Sequence, residues 1–159
     1  MRENMQGKSV AESAIHDQTA VVFPNDLNAY GTLFGGRVLD LCDRVAGVVA
    51  KRHSGKVCVT LGIDSVRFLA PAKHGDILVF KASLNRVWKT SMEIGLKVFK
   101  EDFRTQERVH ILSAYFTFVA LDDHLRPVEA PPVIPLTADE KRRYKEAEER
   151  RLIRLSQRR

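Results

Sequence analysis

At Gly55 the character of this sequence changes once and does not change back. Before it, from Val38 to Ala50, apolar residues recur at helical spacing. After it come four runs rich in β-branched and aromatic residues: Val57 to Leu69, Ile77 to Trp88, Thr90 to Lys100 and Val109 to Leu121. At about 100° per residue, Val48, Leu41, Val45, Val38, Val49, Cys42, Ala46, Leu39 and Ala50 cover an arc of roughly 200°, against the ~100° stripe of an ordinary surface helix. Such a helix has to be wrapped rather than laid on a surface. Lys51, Arg52 and His53 fill its last turn, and Gly55 stands where a C-terminal cap belongs.

The later runs are joined by Pro71-Ala72-Lys73-His74-Gly75-Asp76, a tight link at Lys89, and the polar segment Glu101 to Arg108. Met92, Ile94, Leu96 and Val98 alternate with Glu93, Gly95, Lys97 and Phe99, the period of a half-buried strand. Connections this short predict antiparallel neighbours. Gln18 to Phe23, stopped by Pro24, adds a strand in front. The expectation is an α+β fold: a strand, one long helix, then a four-strand meander, the antiparallel sheet curling around the helix. One sheet covers one side only, so the wide apolar arc also predicts a homodimer.

The chain of 159 residues is long enough for one domain with a real core. Residues 1–17 lack apolar periodicity and read as a flexible leader, and 18–136 as the domain proper. Pro127 to Pro135 reads as an extended exit over the surface. Thr137-Ala138-Asp139-Glu140 then has the spacing of a capping box and opens a charged helix over 137–159, with Glu146 to Arg150 and Glu148 to Arg151 pairs, expected to be solvated or to contact another copy, with binding to RNA or a membrane surface as the alternative. From Thr137 onward nine basic residues face five acids, so most of the net +6 sits in this tail and the nearly neutral body predicts no nucleic-acid footprint. No run resembles a signal peptide or membrane span, which points to a cytoplasmic protein. Cys42 and Cys58 lie in apolar surroundings without metal-type pairing, and read as small core residues.

The chemistry concentrates between Asn28 and Asp43. This run places an amide in a loop, Gly35-Gly36 at the helix start, and a carboxylate two turns in, at the margin of the apolar arc. Gly36 precedes Asp43 by seven residues and Gly47 lies four beyond it, so on one helical stripe the acid is flanked by residues without side chains. Glycine inside a helix costs ~1 kcal/mol relative to alanine. Two readings stand: a solvated acid beside a glycine that lets two helices touch, or a reactive carboxylate that a ligand approaches closely. His53 and His74, at a helix end and in a turn, read as capping or solvated residues.

Three motifs carry a resemblance. They are Asn28-x-x-Gly31-x-x-x-Gly35-Gly36 with Asp43 seven residues on, the run Asp64 to Pro71 followed by Gly75-Asp76, and Lys89-Thr90-Ser91-Met92-Glu93-Ile94. From about Thr19 to Leu136 the chain resembles the hotdog-fold acyl-CoA thioesterases, in the group that includes the YciA type and the brain acyl-CoA hydrolases. The resemblance implies that Asp43 is the catalytic carboxylate, as base or nucleophile, and that Asn28 is its partner from the other subunit. It also implies a trimer of dimers, hydrolysis of fatty acyl-CoA to fatty acid and coenzyme A, and no metal or cofactor beyond the coenzyme A of the substrate. The Gly36 N–H, at the positive end of the helix, suits a developing oxyanion, with Gly35 beside the substrate. Arg67, Arg86, Lys89, Thr90 and Ser91 are candidates for the phosphates of coenzyme A. Two rivals remain: an acyl-CoA-binding sensor, and a hydratase or dehydratase on the same fold.

Overall fold

The computed structural model describes residues 5–158. Its elements run β1 (Lys8–Ser9), β2 (Ile15–Val21), α1 (Gly35–Ser54), β3 (Val57–Phe68), β4 (Ile77–Val87), β5 (Ser91–Glu101), β6 (Arg108–Leu121), β7 (Val133–Ile134) and α2 (Ala138–Ser156), with short 3-10 turns at Val10–Glu12 and Pro24–Asp26. The long helix ends where its glycine cap predicts, with Gly55 at φ 65° and its N–H donating to the Lys51 carbonyl.

The five large strands form one antiparallel sheet in the order β2-β4-β5-β6-β3. This differs from a four-strand meander in one respect: β3 lies against β6, not β4. The reach of the chain explains it. Crossing from the far side of β6 to β4 takes about three strand spacings, roughly 14 Å, and the link 69–76 can extend to about 25 Å. The tight link at Lys89 has no such slack, and it closes a β4-β5 hairpin in which the Trp88 N–H donates to the Ser91 carbonyl.

Helix α1 packs on one face of this sheet. Val38, Cys42, Val45, Ala46, Val49 and Ala50 are buried against the row Met92, Ile94, Val98, Leu112, Phe116 and Phe118. Each large side chain removed from water contributes about 1.5–3 kcal/mol. Leu39 and Leu41 are partly buried against the same core, whereas Val48 at the edge of the arc is exposed, and so are Val57, Val59, Leu61 and Ile63 along β3, whose outer edge is unpaired among the described residues. No helix among the described residues is long and apolar enough to cross a membrane.

Three expectations need correction. Of the leader, residues 1–4 lie outside the described residues, but the stretch from Lys8 onward is docked. Lys8–Ser9 pair in parallel with Val133–Ile134, Val10 and Ser13 are buried, and β2 starts at Ile15 instead of Gln18. The polar composition hid this, because the pairing is through backbone. Likewise His53 is fully buried, not solvated. Its Nε2 lies 2.7 Å from the Pro131 carbonyl, and Lys8 Nζ donates to its own carbonyl at 2.9 Å, so it ties both chain ends to α1.

Helix α2, capped as expected by reciprocal Thr137 and Glu140 bonds, covers the opposite face of the sheet. Arg150, Arg154 and Glu148 pair with the sheet, and the expected Glu146–Arg150 and Glu148–Arg151 pairs do not form among the described residues. Arg150 holds the buried Glu93 with Nη2 2.6 Å from Oε1 and stacks over Tyr115, while Arg154 reaches Asp64 at 2.7 Å. Glu148 takes the Trp88 indole N–H and Arg86, and Glu146 pairs with Arg142. A thin apolar stripe misled here because the interface is made of ion pairs and cation–π contacts.

Candidate functional site

The loop before α1 is built around two acceptors. Asp26 takes the Phe23 N–H on Oδ2 and the Arg37 Nε–H on Oδ1, and its carbonyl accepts from the Phe34 N–H, which locks the loop onto the first turn of the helix. These donors, led by the Phe23 N–H and partly opposed by burial, hold the Asp26 carboxyl below the usual range. Asn28 organises the turn above it. Its Oδ1 accepts from the N–H groups of Tyr30 and Thr32, and its Nδ2 donates to Thr32 Oγ1 at 2.9 Å. One amide proton of Asn28 has no acceptor among the described residues. Gly31 sits at φ 77° in this turn, a region that favours glycine.

At the helix start, among the described residues, the N–H groups of Gly35 and Gly36 donate to nothing, and Phe34 supplies no side-chain cap. Two aromatic rings crowd these glycines. A Cβ on Gly35 would stand 3.3 Å from Phe68, and one on Gly36 would stand 2.9 Å from Phe34. Beside them opens an apolar cavity of about 400 Å³ bounded by Leu33, Gly35, Val38, Phe68, Ala72 and Ile111. So the helix start combines free donors, no side chains and an apolar hollow.

Asp43 is half-buried on α1, and the Thr60 hydroxyl on β3 donates to its Oδ1 at 2.5 Å. Its Oδ2 accepts nothing among the described residues. Thr60 escaped the sequence reading. The usable signal was its place in β3, where Cys58 and Thr60 stand opposite Ala120 and Phe118 of the helix-facing row. At Gly47 a Cβ would meet the Phe118 ring at 3.6 Å, an ordinary contact, so packing against the sheet does not by itself require glycine there.

Among the described residues no hydrogen bond joins Asn28 to Asp43. Gly36 alone is about 10 Å from Asp43 along the axis at 1.5 Å per residue, beyond the span of one reacting carbonyl. The phosphate candidates divide. Arg67 is exposed after a bulge in β3, and Lys89 is exposed beside Thr90 and Ser91, with Glu129 3.7 Å away. Arg86 is instead engaged by α2, its Nη1 donating to the Tyr144 carbonyl and its guanidinium over the Tyr144 ring, beside Glu148. Cys42 is buried, and burial plus the neighbouring Asp43 charge push its thiol up to about 12, so it is no nucleophile. His74 stays exposed in its turn. No cluster of three metal-ligating side chains occurs among the described residues.

Comparison with known proteins places this geometry. Residues 30–106 match the family model described as Thioesterase superfamily. A Bacillus subtilis protein named as an uncharacterized acyl-CoA thioester hydrolase is 40% identical over 77% of this chain and 72% of its own length. Among solved structures, an apo-hexameric acyl-CoA thioesterase superposes with a TM-score of 0.89 at 36% identity, covering 97% of this chain and 100% of its own. The acyl-CoA hydrolase of Staphylococcus aureus, solved with butyryl coenzyme A, coenzyme A and coenzyme A disulfide, gives 0.87 at 36% identity, covering 94% of this chain and 90% of its own. Mutants of that enzyme in which alanine replaces an aspartate, an asparagine or a threonine align at 0.88, 0.87 and 0.83. With this identity over most of both chains, and a fold shared almost end to end, the chain belongs to the Thioesterase superfamily, among the hotdog-fold acyl-CoA thioesterases.

Proposed function

We propose that paired copies of this chain hydrolyse fatty acyl-CoA to a fatty acid and coenzyme A, each site combining Asp43 of one copy with Asn28 and Gly36 of the other. The observation that carries this is the state of Asp43: among the described residues one oxygen is held by Thr60 and the other accepts nothing, while the Asn28 amide is engaged in its own turn and makes no bond to it. A second copy laid against the exposed apolar edge formed by Val48 and β3 supplies the missing half.

The chemistry rests on the groups present. The thioester carbonyl oxygen accepts the unpaired Gly36 N–H, aided by the positive end of α1 and the spare proton of Asn28. Losing one such donor typically costs 10²–10³ in rate. Asp43 removes a proton from water as the water oxygen bonds to the carbonyl carbon, or attacks that carbon itself to form a mixed anhydride, which water then hydrolyses to release the fatty acid and restore the Asp43 carboxylate. Either way the C–S bond breaks and the thiolate of coenzyme A leaves with the proton Asp43 or water returns. Thr60 fixes which carboxylate oxygen faces the substrate. Arg67 and Lys89, with Thr90 and Ser91, are the groups proposed to meet the phosphates, and three dimers are proposed to assemble as a hexamer.

The experiment exploits the shared site. Asp43→Ala and Asn28→Ala, each inactive alone, are mixed after reversible dissociation. A mixed dimer then contains one intact site, and random pairing restores about a quarter of wild-type thiol release. Full activity of Asp43→Ala alone, or no recovery from mixed dimers shown to form, refutes the composite site.

A further inference from the structure

The face of the sheet opposite α1 holds a separate cavity of about 420 Å³, roofed by the first turns of α2 and by the segment around Val10 to His16, with no residue of α1 in its wall. Its floor includes Asn85 and Gly95. Asn85 is 3% exposed, and its Nδ2 donates to Glu93 Oε1 at 3.0 Å. Because Arg150 donates to both oxygens of Glu93 through Nε and Nη2, the oxygen facing Asn85 is an acceptor, and a reversed amide would set oxygen against oxygen. The orientation of Asn85 is therefore fixed, and its Oδ1, turned away from Glu93, is a buried acceptor without a donor among the described residues.

Leaving a buried acceptor unsatisfied destabilises the fold, and a ligand donor would relieve that loss. Gly95 keeps the approach open, since a Cβ there would stand 2.8 Å from Asn85 Nδ2 and 3.3 Å from Oδ1. Cations line the same cavity. Lys81 and Arg142 are neutralised by Asp17 and Glu146, whereas Lys97 and Arg143 have no acidic partner among the described residues. Val10, Ala14 and Ile15 add an apolar side.

We propose that this cavity is a second ligand site, for a small organic anion bearing an amide N–H on an apolar body, the chemistry of an N-acyl amino acid. The N–H donates to Asn85 Oδ1, the carboxylate meets Lys97 and Arg143, and the apolar body lies against Val10, Ala14 and Ile15. None of these residues belongs to the Asp43 site, so the proposal stands or falls without the thioesterase reading.

The probe is N-acetylleucine, titrated calorimetrically into the full chain, with a crystal structure of the saturated protein. Saturable binding is expected, weakened about tenfold when the amide carries a methyl group in place of its proton, the factor a lost buried hydrogen bond is worth. Lys97→Glu, on an exposed side chain, is expected to bind at least about tenfold more weakly while melting like the wild type. Absence of saturable heat at millimolar ligand, equal affinity for the N-methyl analogue, or density showing water alone over Gly95 overturns the assignment.

Discussion

The Thr60 hydroxyl on β3 donates to Asp43 on α1, tying the one open carboxylate of the helix to the edge strand of the sheet. Valine in place of Thr60 keeps the volume and removes the donor. The expected result is a fall in kcat of about tenfold, the size of one lost hydrogen bond to a charged group, with KM little changed and Thr60→Ser close to wild type. Asp43→Asn is expected to lose about 10²–10⁴-fold. Steady-state release of coenzyme A thiol measures both, and a Thr60→Val enzyme with undiminished kcat would remove Thr60 from the site.

Glu93 is completely buried and is answered only by Arg150 and Asn85 among the described residues. Arg150→Met leaves that carboxylate without its cation, and breaking a buried pair from one side costs about 3–5 kcal/mol, a fall in Tm of roughly 10 °C for a chain of this size. Adding Glu93→Gln removes the stranded charge while still accepting from Asn85, and most of the lost stability is expected to return. Thermal denaturation of the two variants decides it; equal Tm values for single and double variants contradict the argument.

Burial, with a smaller contribution from Lys8, lowers the folded pKa of His53 below its ordinary 6.5, partly opposed by the Pro131 carbonyl and Glu12. Below that ordinary value the unfolded chain takes up a proton that the folded chain resists, so stability is lost as pH falls through 6.5 toward the folded pKa. His53→Gln, whose Nε2 can still donate to the Pro131 carbonyl, is expected to lose less Tm than the wild type between about pH 7.5 and about pH 5.5. Parallel slopes in the two proteins would show that His53 contributes nothing to the pH response.

Both cysteines have thiols raised by burial, Cys42 to about 12. A disulfide reagent at mildly alkaline pH is therefore expected to find no rapidly reacting thiol in the native protein, and both of its two cysteines after denaturation. A fast native reaction localised to Cys42 by mass spectrometry would contradict its placement in the core.

Periodicity located the central helix and the antiparallel strands to within a few residues, and a single glycine marked the cap of the helix. Those features depend on neighbours close in sequence, whose side chains fall on one face at 3.6 or 2 residues per turn or pleat. The position of β3 beside β6, the burial of His53 under Pro131, the grip of α2 on Glu93 and the hydroxyl of Thr60 on Asp43 were decided only by tertiary structure. Each joins residues far apart in the chain through a specific polar contact, and a polar side chain looks the same in sequence whether water or a distant partner satisfies it.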